Sequence, residues 1–151
     1  MFRGRYTHTM DGKGRVSIPS AFRAALLGRE EGGASAAQAK PPFLTNLQRC
    51  VAVYPHDAWL EVERRLSEAS SMQPEVQALQ RFAVSGAIEC PIDAQGRILV
   101  PPYLREHGAL TKDVLIAGVG PRIELWNKER FASDLERTQE NLSAWAQSFG
   151  L

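Results

Sequence analysis

Apolar positions along this chain switch between two periods, and the switches mark out short strands and helices. Arg15-Val16-Ser17-Ile18 alternates polar and apolar residues, the period of a half-buried strand. Val16 and Ile18 are therefore predicted to face a core, with Arg15 and Ser17 on the other side. Arg97-Ile98-Leu99-Val100 follows the same parity. Residues 6–10 read as the first strand of a hairpin closed by residues 11–14, and residues 87–92 as a strand pairing with residues 97–100 across a second hairpin. Two more strand pairs are predicted, at 43–46 with 49–54 and at 114–117 with 123–125, the latter joined by Gly118-Val119-Gly120-Pro121. Helical spacing puts Trp59, Val62, Leu66 and Ala69 on one face of residues 56–69, and Val76, Leu79 and Ala83 on one face of residues 74–84. Short helices at 20–27 and 102–107 place Phe22 and Leu104 at equivalent core positions. A longer helix is predicted at 128–148, with Phe131, Leu135, Thr138, Leu142, Trp145 and Phe149 as its stripe. That stripe suits packing on the helix's own domain or a seam between subunits, and spacing alone does not separate the two.

The parity shared by the two strands belongs to a longer internal repeat. Asp11-Gly-Lys-Gly-Arg15-Val-Ser-Ile-Pro19-Ser-Ala-Phe-Arg23 matches Asp93-Ala-Gln-Gly-Arg97-Ile-Leu-Val-Pro101-Pro-Tyr-Leu-Arg105. Asp, Gly, Arg, Pro and Arg recur at constant offsets, and such self-similarity outranks other signals in deciding a fold. Gly14 and Gly96 supply the positive φ that a tight turn needs. Pro19 and Pro101 end the strands and suit helix starts. Cys50-Val-Ala-Val-Tyr54 through Trp59 likewise matches Arg122-Ile-Glu-Leu-Trp126 through Phe131. The offset shortens from 82 residues to 72, and the extra residues of the first copy fall in a Gly/Ala/Pro/Ser-rich loop at 28–42.

Charge and composition narrow the function. The net charge is +1 and hydrophobic residues make up 44%, enough for a core but weak as an electrostatic signal for nucleic acid. A local patch must supply it. Arg3, Arg5, Lys13 and Arg15 crowd the first fifteen residues, with only Asp11 opposing them. No apolar run approaches the roughly 18 residues of a membrane span. The first eight residues hold no apolar signal segment, so no signal peptide is expected. Cys50 and Cys90 are expected as reduced, buried thiols. His8, His56 and His107 are scattered, and no His/Cys group has metal spacing. Neither a nucleophile elbow nor a phosphate loop occurs, so the chain is not expected to be an enzyme or to carry a metal or cofactor.

Arg15 and Arg97 carry the most specific candidate chemistry. Each follows a turn on the outward face of a strand, where a guanidinium can read guanine bidentately. Each can equally pair with the Asp four residues earlier, and the two roles are compatible. Lys13, at the turn tip, is a candidate phosphate contact or a solvated turn lysine. Gln95 stands in its place in the second copy, so the two halves are not expected to contribute equally. Arg23 and Arg105, in first helical turns where the dipole disfavours a cation, are read as structural and paired to an acid. With Asp11, Gly14, Pro19, Asp93, Gly96 and Pro101 they form the structural motif.

These features together resemble a known family. Met1-Phe-Arg-Gly, the Asp-x-Lys-Gly-Arg-x-Ser-Ile-Pro-x-x-Phe-Arg run, Tyr54-Pro55 followed by Trp59, and the second Asp-x-x-Gly-Arg are similar to the MraZ regulators, within the wider SpoVT/AbrB-like group. The resemblance implies an α+β fold. Two tandem hairpin repeats, at 5–55 and 86–128, would intertwine into a small swapped-hairpin β-barrel core. Connecting helices at 56–85 and a C-terminal helix at 129–151 would surround it. It further implies a cytoplasmic, nucleoid-associated transcriptional regulator binding double-stranded DNA at short tandem repeats as a ring-like homo-oligomer. Its own division and cell-wall operon would be the target, with no membrane or small-molecule substrate as partner. DNA contacts would come from Arg3, Arg5, Lys13, Arg15 and Arg97. The rival reading is a non-DNA interaction module, antitoxin-like or scaffold, on the same barrel.

Overall fold

The computed structural model describes residues 1–28 and 39–151, so most of the predicted 28–42 loop lies outside the described residues. Its elements run β1 (Phe2–Thr9), β2 (Arg15–Ser17), α1 (Ser20–Leu26), β3 (Phe43–Leu47), β4 (Cys50–Tyr54), α2 (His56–Glu68), α3 (Pro74–Leu79) with a π turn at Gln80–Val84, β5 (Ile88–Glu89), β6 (Arg97–Leu99), α4 (Pro102–Gly108), β7 (Asp113–Gly120), β8 (Arg122–Asn127), α5 (Lys128–Gln139) and α6 (Leu142–Ser148). The fold is α+β. A six-stranded antiparallel sheet has the order β1-β7-β8-β4-β3-β5, and β2 and β6 form a separate two-stranded ribbon.

The repeat appears as a pseudo-two-fold. In the ribbon Val16 faces Ile98, its own counterpart, and in the sheet Ala52 faces its counterpart Glu124. Ile18 N donates to Gly96 O at 2.8 Å, and Val100 N to Gly14 O at 2.9 Å. Parity holds as predicted: Val16, Ile18, Ile98 and Val100 are buried and Leu99 is exposed. They join Phe22, Leu26, Leu104, Val114, Ile116, Ile123 and Leu125 in one core between ribbon, sheet and short helices. Cys50 and Cys90 are unpaired and buried, and burial pushes both thiols up, Cys90 to about 11.

Strand pairing departs from the predicted hairpins. Residues 87–92 were expected to pair with 97–100, but β5 pairs with Phe43 and Leu44 of β3, and β6 pairs with β2. Residues 6–10 were expected to pair across the first turn, but β1 pairs with β7 throughout, from Phe2–Gly120 to Thr9–Asp113. Each repeat's first strand thus adds to a hairpin of the other repeat. Nor is the core a closed barrel. Among the described residues the ribbon's ladder is made only within itself, so β1 and β5 are the edges of the sheet.

Two helices also differ. The predicted 74–84 helix widens at Gln80, where Ser85 N donates five residues back to Gln80 O. Val76 stays buried while Leu79 is half-exposed. The predicted 128–148 helix breaks at Asn141, whose φ of −116° and ψ of 2° leave the helical region. Asn competes poorly inside helices and favours their starts. Beyond the break the stripe is open to solvent, with Leu142 48%, Trp145 54% and Phe149 83% exposed. At the sheet centre, buried Glu124 accepts from Arg122 Nε at 3.0 Å, Arg122 Nη2 at 2.7 Å and Trp126 Nε1 at 2.8 Å.

Candidate nucleic-acid interface

The ribbon's outer face gathers the candidate residues. Arg15, Ser17, Arg97 and Leu99 share it, because their neighbours Val16, Ile18, Ile98 and Val100 are committed to the core. Arg15 lies opposite Leu99, which places Arg15 and Arg97 as diagonal neighbours, about 7–8 Å apart at Cα.

Each arginine is anchored by an identical turn. Asp11 Oδ1 accepts from Lys13 N at 3.0 Å and Arg15 N at 2.9 Å, and Oδ2 accepts from Arg15 Nε at 2.7 Å. In the second turn Asp93 Oδ1 accepts from Gln95 N and Arg97 N, both at 2.9 Å, and Oδ2 from Arg97 Nε at 3.0 Å. The Arg15 amide, followed by the side-chain and Lys13 bonds, holds the Asp11 carboxyl near 2, and the same bonds lower Asp93. Both carboxylates are thus spent on shaping their own turns. Arg15 keeps both terminal nitrogens without an acceptor among the described residues. Lys13 is exposed and has no ion pair among them.

The four predicted N-terminal cations do not form one patch. On β1, Phe2 and Tyr6 stack edge-on against Phe22, and His8 Nδ1 donates to Ser17 O at 2.7 Å, so the even positions face the ribbon and α1. The odd positions face away, and the Arg5 guanidinium sits 5.0 Å over the Phe131 ring of α5. Along an extended strand, Arg3 and Arg5 also lie about 20–26 Å from the Asp11 end.

Arg23 and Arg105 correct a further expectation, since neither pairs with an acid among the described residues. Arg23 Nε donates to Ile18 O at 2.8 Å. Its guanidinium lies against Gly96 of the other repeat, so closely that a Cβ there would come within 2.3 Å of Cζ. Arg105 lies reciprocally against Gly14, where a Cβ would meet Nε at 2.8 Å, and that Nε is buried without a partner. Each first-turn arginine thus clamps the opposite repeat's turn, which explains the absence of an acid partner. The common thirteenth position of the repeat was the only sequence signal for this reciprocity. The Arg97–Gln95 bond, at 2.5 Å, was signalled only by the Lys13-to-Gln95 difference between the copies.

The family model described as "MraZ protein, putative antitoxin-like" matches the chain twice, over residues 1–82 and 83–148. The chain belongs to the MraZ family. It is 40% identical over 150 residues to "Transcriptional regulator MraZ" of Desulfitobacterium hafniense, covering 98% of this chain and 96% of that protein. The protein of the same name from Heliobacterium modesticaldum is 42% identical over 137 residues, covering 91% and 88%. That from Pediococcus pentosaceus is 37% identical over 154 residues, covering both chains fully. The two family matches divide the chain between the Asp11 and Asp93 turns, one turn in each. Among the described residues no helix is long and apolar enough to cross a membrane.

Proposed function

We propose that this MraZ-family chain is a transcriptional regulator that binds double-stranded DNA sequence-specifically through the outer face of its β2–β6 ribbon. The observation that carries this reading is the first turn. Arg15 presents two terminal nitrogens beside an exposed Lys13, on a two-stranded ribbon of the kind a major groove admits. Arg15 reads a base edge, Lys13 a phosphate, and Arg97 adds a contact from the diagonal position. Arg3 and Arg5, on the strand face turned away from the ribbon, are left out of this contact set. The relatives' common name supports the regulatory role, and nothing in the site calls for catalysis.

The strands exchanged between repeats support a further reading. Each repeat's first strand joins the other repeat's hairpin within one chain, which supports reading the two repeats as one DNA-binding unit. One short ribbon offers little against genomic competition. A ring-like homo-oligomer would multiply it by effective concentration, reading short tandem repeats spaced about one helical turn, roughly 34–36 Å, apart. Its own division and cell-wall operon is the proposed target, in the cytoplasm at the nucleoid.

The test is binding to the DNA upstream of its own gene across about 50–200 mM salt. Log affinity must fall linearly with log salt, and Lys13→Ala must flatten the slope by about 0.9 per contacting subunit. No binding at the lowest salt refutes the reading and leaves the antitoxin-like or scaffold alternative.

A further inference from the structure

The outer face of the ribbon carries three polar side chains and one apolar one. Arg15, Ser17 and Arg97 share it with Leu99, which is 54% exposed. Leu99 stands directly across from Arg15, where the side chains of an antiparallel pair start about 4.5–5.5 Å apart. Arg97 lies on the same strand, about 7 Å along it. The backbone at Leu99 is held in place. Its carbonyl accepts from the buried Cys90 Sγ at 3.4 Å, and its neighbours Ile98 and Val100 are committed to the core. Strand parity therefore keeps the isobutyl group on the outside. The matching residue of the first copy is Ser17, so the hairpin itself does not require an apolar side chain there. A lone exposed leucine is ordinary on a protein surface. This one stands beside both arginines of the proposed reading face.

We propose that Leu99 is a specificity-determining residue that packs on the C5-methyl group of a thymine beside the base read by Arg15. The inference rests on the DNA-binding reading above. In the major groove thymine alone among the four bases presents a methyl group, and an apolar side chain is its natural contact. Leucine can neither donate nor accept a hydrogen bond. Set against the amino group of cytosine or adenine, it would cover a donor without bonding it, which costs affinity. The spacing of about 5 Å between the two side chains spans one to two base steps of roughly 3.4 Å. The methyl group therefore belongs to a base pair one or two steps from the one under Arg15. Ser17 offers no such contact, so the pseudo-symmetric ribbon reads a thymine on one side only.

The experiment replaces the thymines of the upstream DNA one at a time by deoxyuridine, which pairs identically and lacks only the methyl group. Affinity is measured at fixed salt for the wild type, Leu99→Ala and Leu99→Ser. The wild type is expected to lose about three- to fivefold at one thymine position per bound repeat, the effect of burying about one methyl group. Both variants are expected to bind the thymine DNA more weakly by a similar factor and to show no deoxyuridine penalty at that position. Their urea midpoints should match the wild type, because the lost side chain is exposed. The wild-type scan decides the question even if a variant fails to fold: no penalised position there overturns the proposal. The same penalty in all three proteins overturns it as well. A changed particle mass in Leu99→Ala with the penalty intact also overturns it, and assigns Leu99 to a contact between copies. A wild type that binds no DNA at low salt is a different failure, that of the underlying reading, whereas binding that ignores the methyl groups sinks this inference alone.

Discussion

Gly96→Ala puts the clamp between the repeats to a quantitative test. Gly96 has φ of +78°, and a methyl there would come within 2.3 Å of Arg23 Cζ and 2.5 Å of Arg23 Nε. Two costs add. Left-handed backbone costs an L-residue about 1–2 kcal/mol. The guanidinium must also move, which breaks its 2.8 Å bond to Ile18 O, worth about 1 kcal/mol. The expected loss is therefore about 2–3 kcal/mol. In an Arg23→Ala background the overlap is gone and only the backbone cost remains, so the two substitutions should couple by about 1 kcal/mol. Gly12→Ala is the control, since Gly12 has no positive φ and nothing lies within 4 Å of its added carbon. It should change stability by less than about 0.5 kcal/mol. The assay is urea unfolding followed by tryptophan fluorescence, with Trp59 buried as the reporter. Protomer concentration is held constant, because assembly would shift apparent stability. A Gly96→Ala cost no larger than that of Gly12→Ala, or one identical in both Arg23 backgrounds, would refute the clamp.

Arg15→Ala should weaken specific DNA binding by about 1–3 kcal/mol per contacting protomer. Its solvent-exposed pair with Asp11 contributes little to stability, so circular dichroism should show an intact fold, and unfolding would make the residue structural instead. Glu124→Ala should destabilise by about 3–5 kcal/mol, since it leaves the Arg122 guanidinium and Trp126 Nε1 unpaired at the sheet centre; a drop below 1 kcal/mol in urea unfolding would show the network is dispensable. The Asp11 carboxyl, held at about 2 against an ordinary 3.8, lends its turn stability that is fully present above about pH 4 and lost as pH falls through 2. A carbon-13 titration of Asp11 with a midpoint near 3.8 would contradict that hydrogen-bonded turn.

Much of this architecture was legible before any coordinates. Alternation placed Val16, Ile18, Ile98 and Val100 inward, and the repeat placed Gly14 and Gly96 where the backbone turns left-handed, at φ of +88° and +78°. The spacing of Arg3 and Arg5 on an extended strand already carried the signal that they point away from the ribbon, though crowding in the sequence suggested one patch. Strand partners were not legible. Periodicity records which face of a strand is buried, but the ladder itself is made by backbone groups that every residue shares. Hence β5 could choose β3 over β6 without any side chain announcing it. The break at Asn141 and the π turn at Gln80 are likewise local backbone outcomes that helical spacing does not encode. The arginine clamps depend on a close approach between residues more than seventy apart in the chain, Arg23 and Gly96, or ninety, Gly14 and Arg105. Only the packing of one repeat into the other brings those atoms together, and that same packing sets Arg15 and Arg97 side by side on one face.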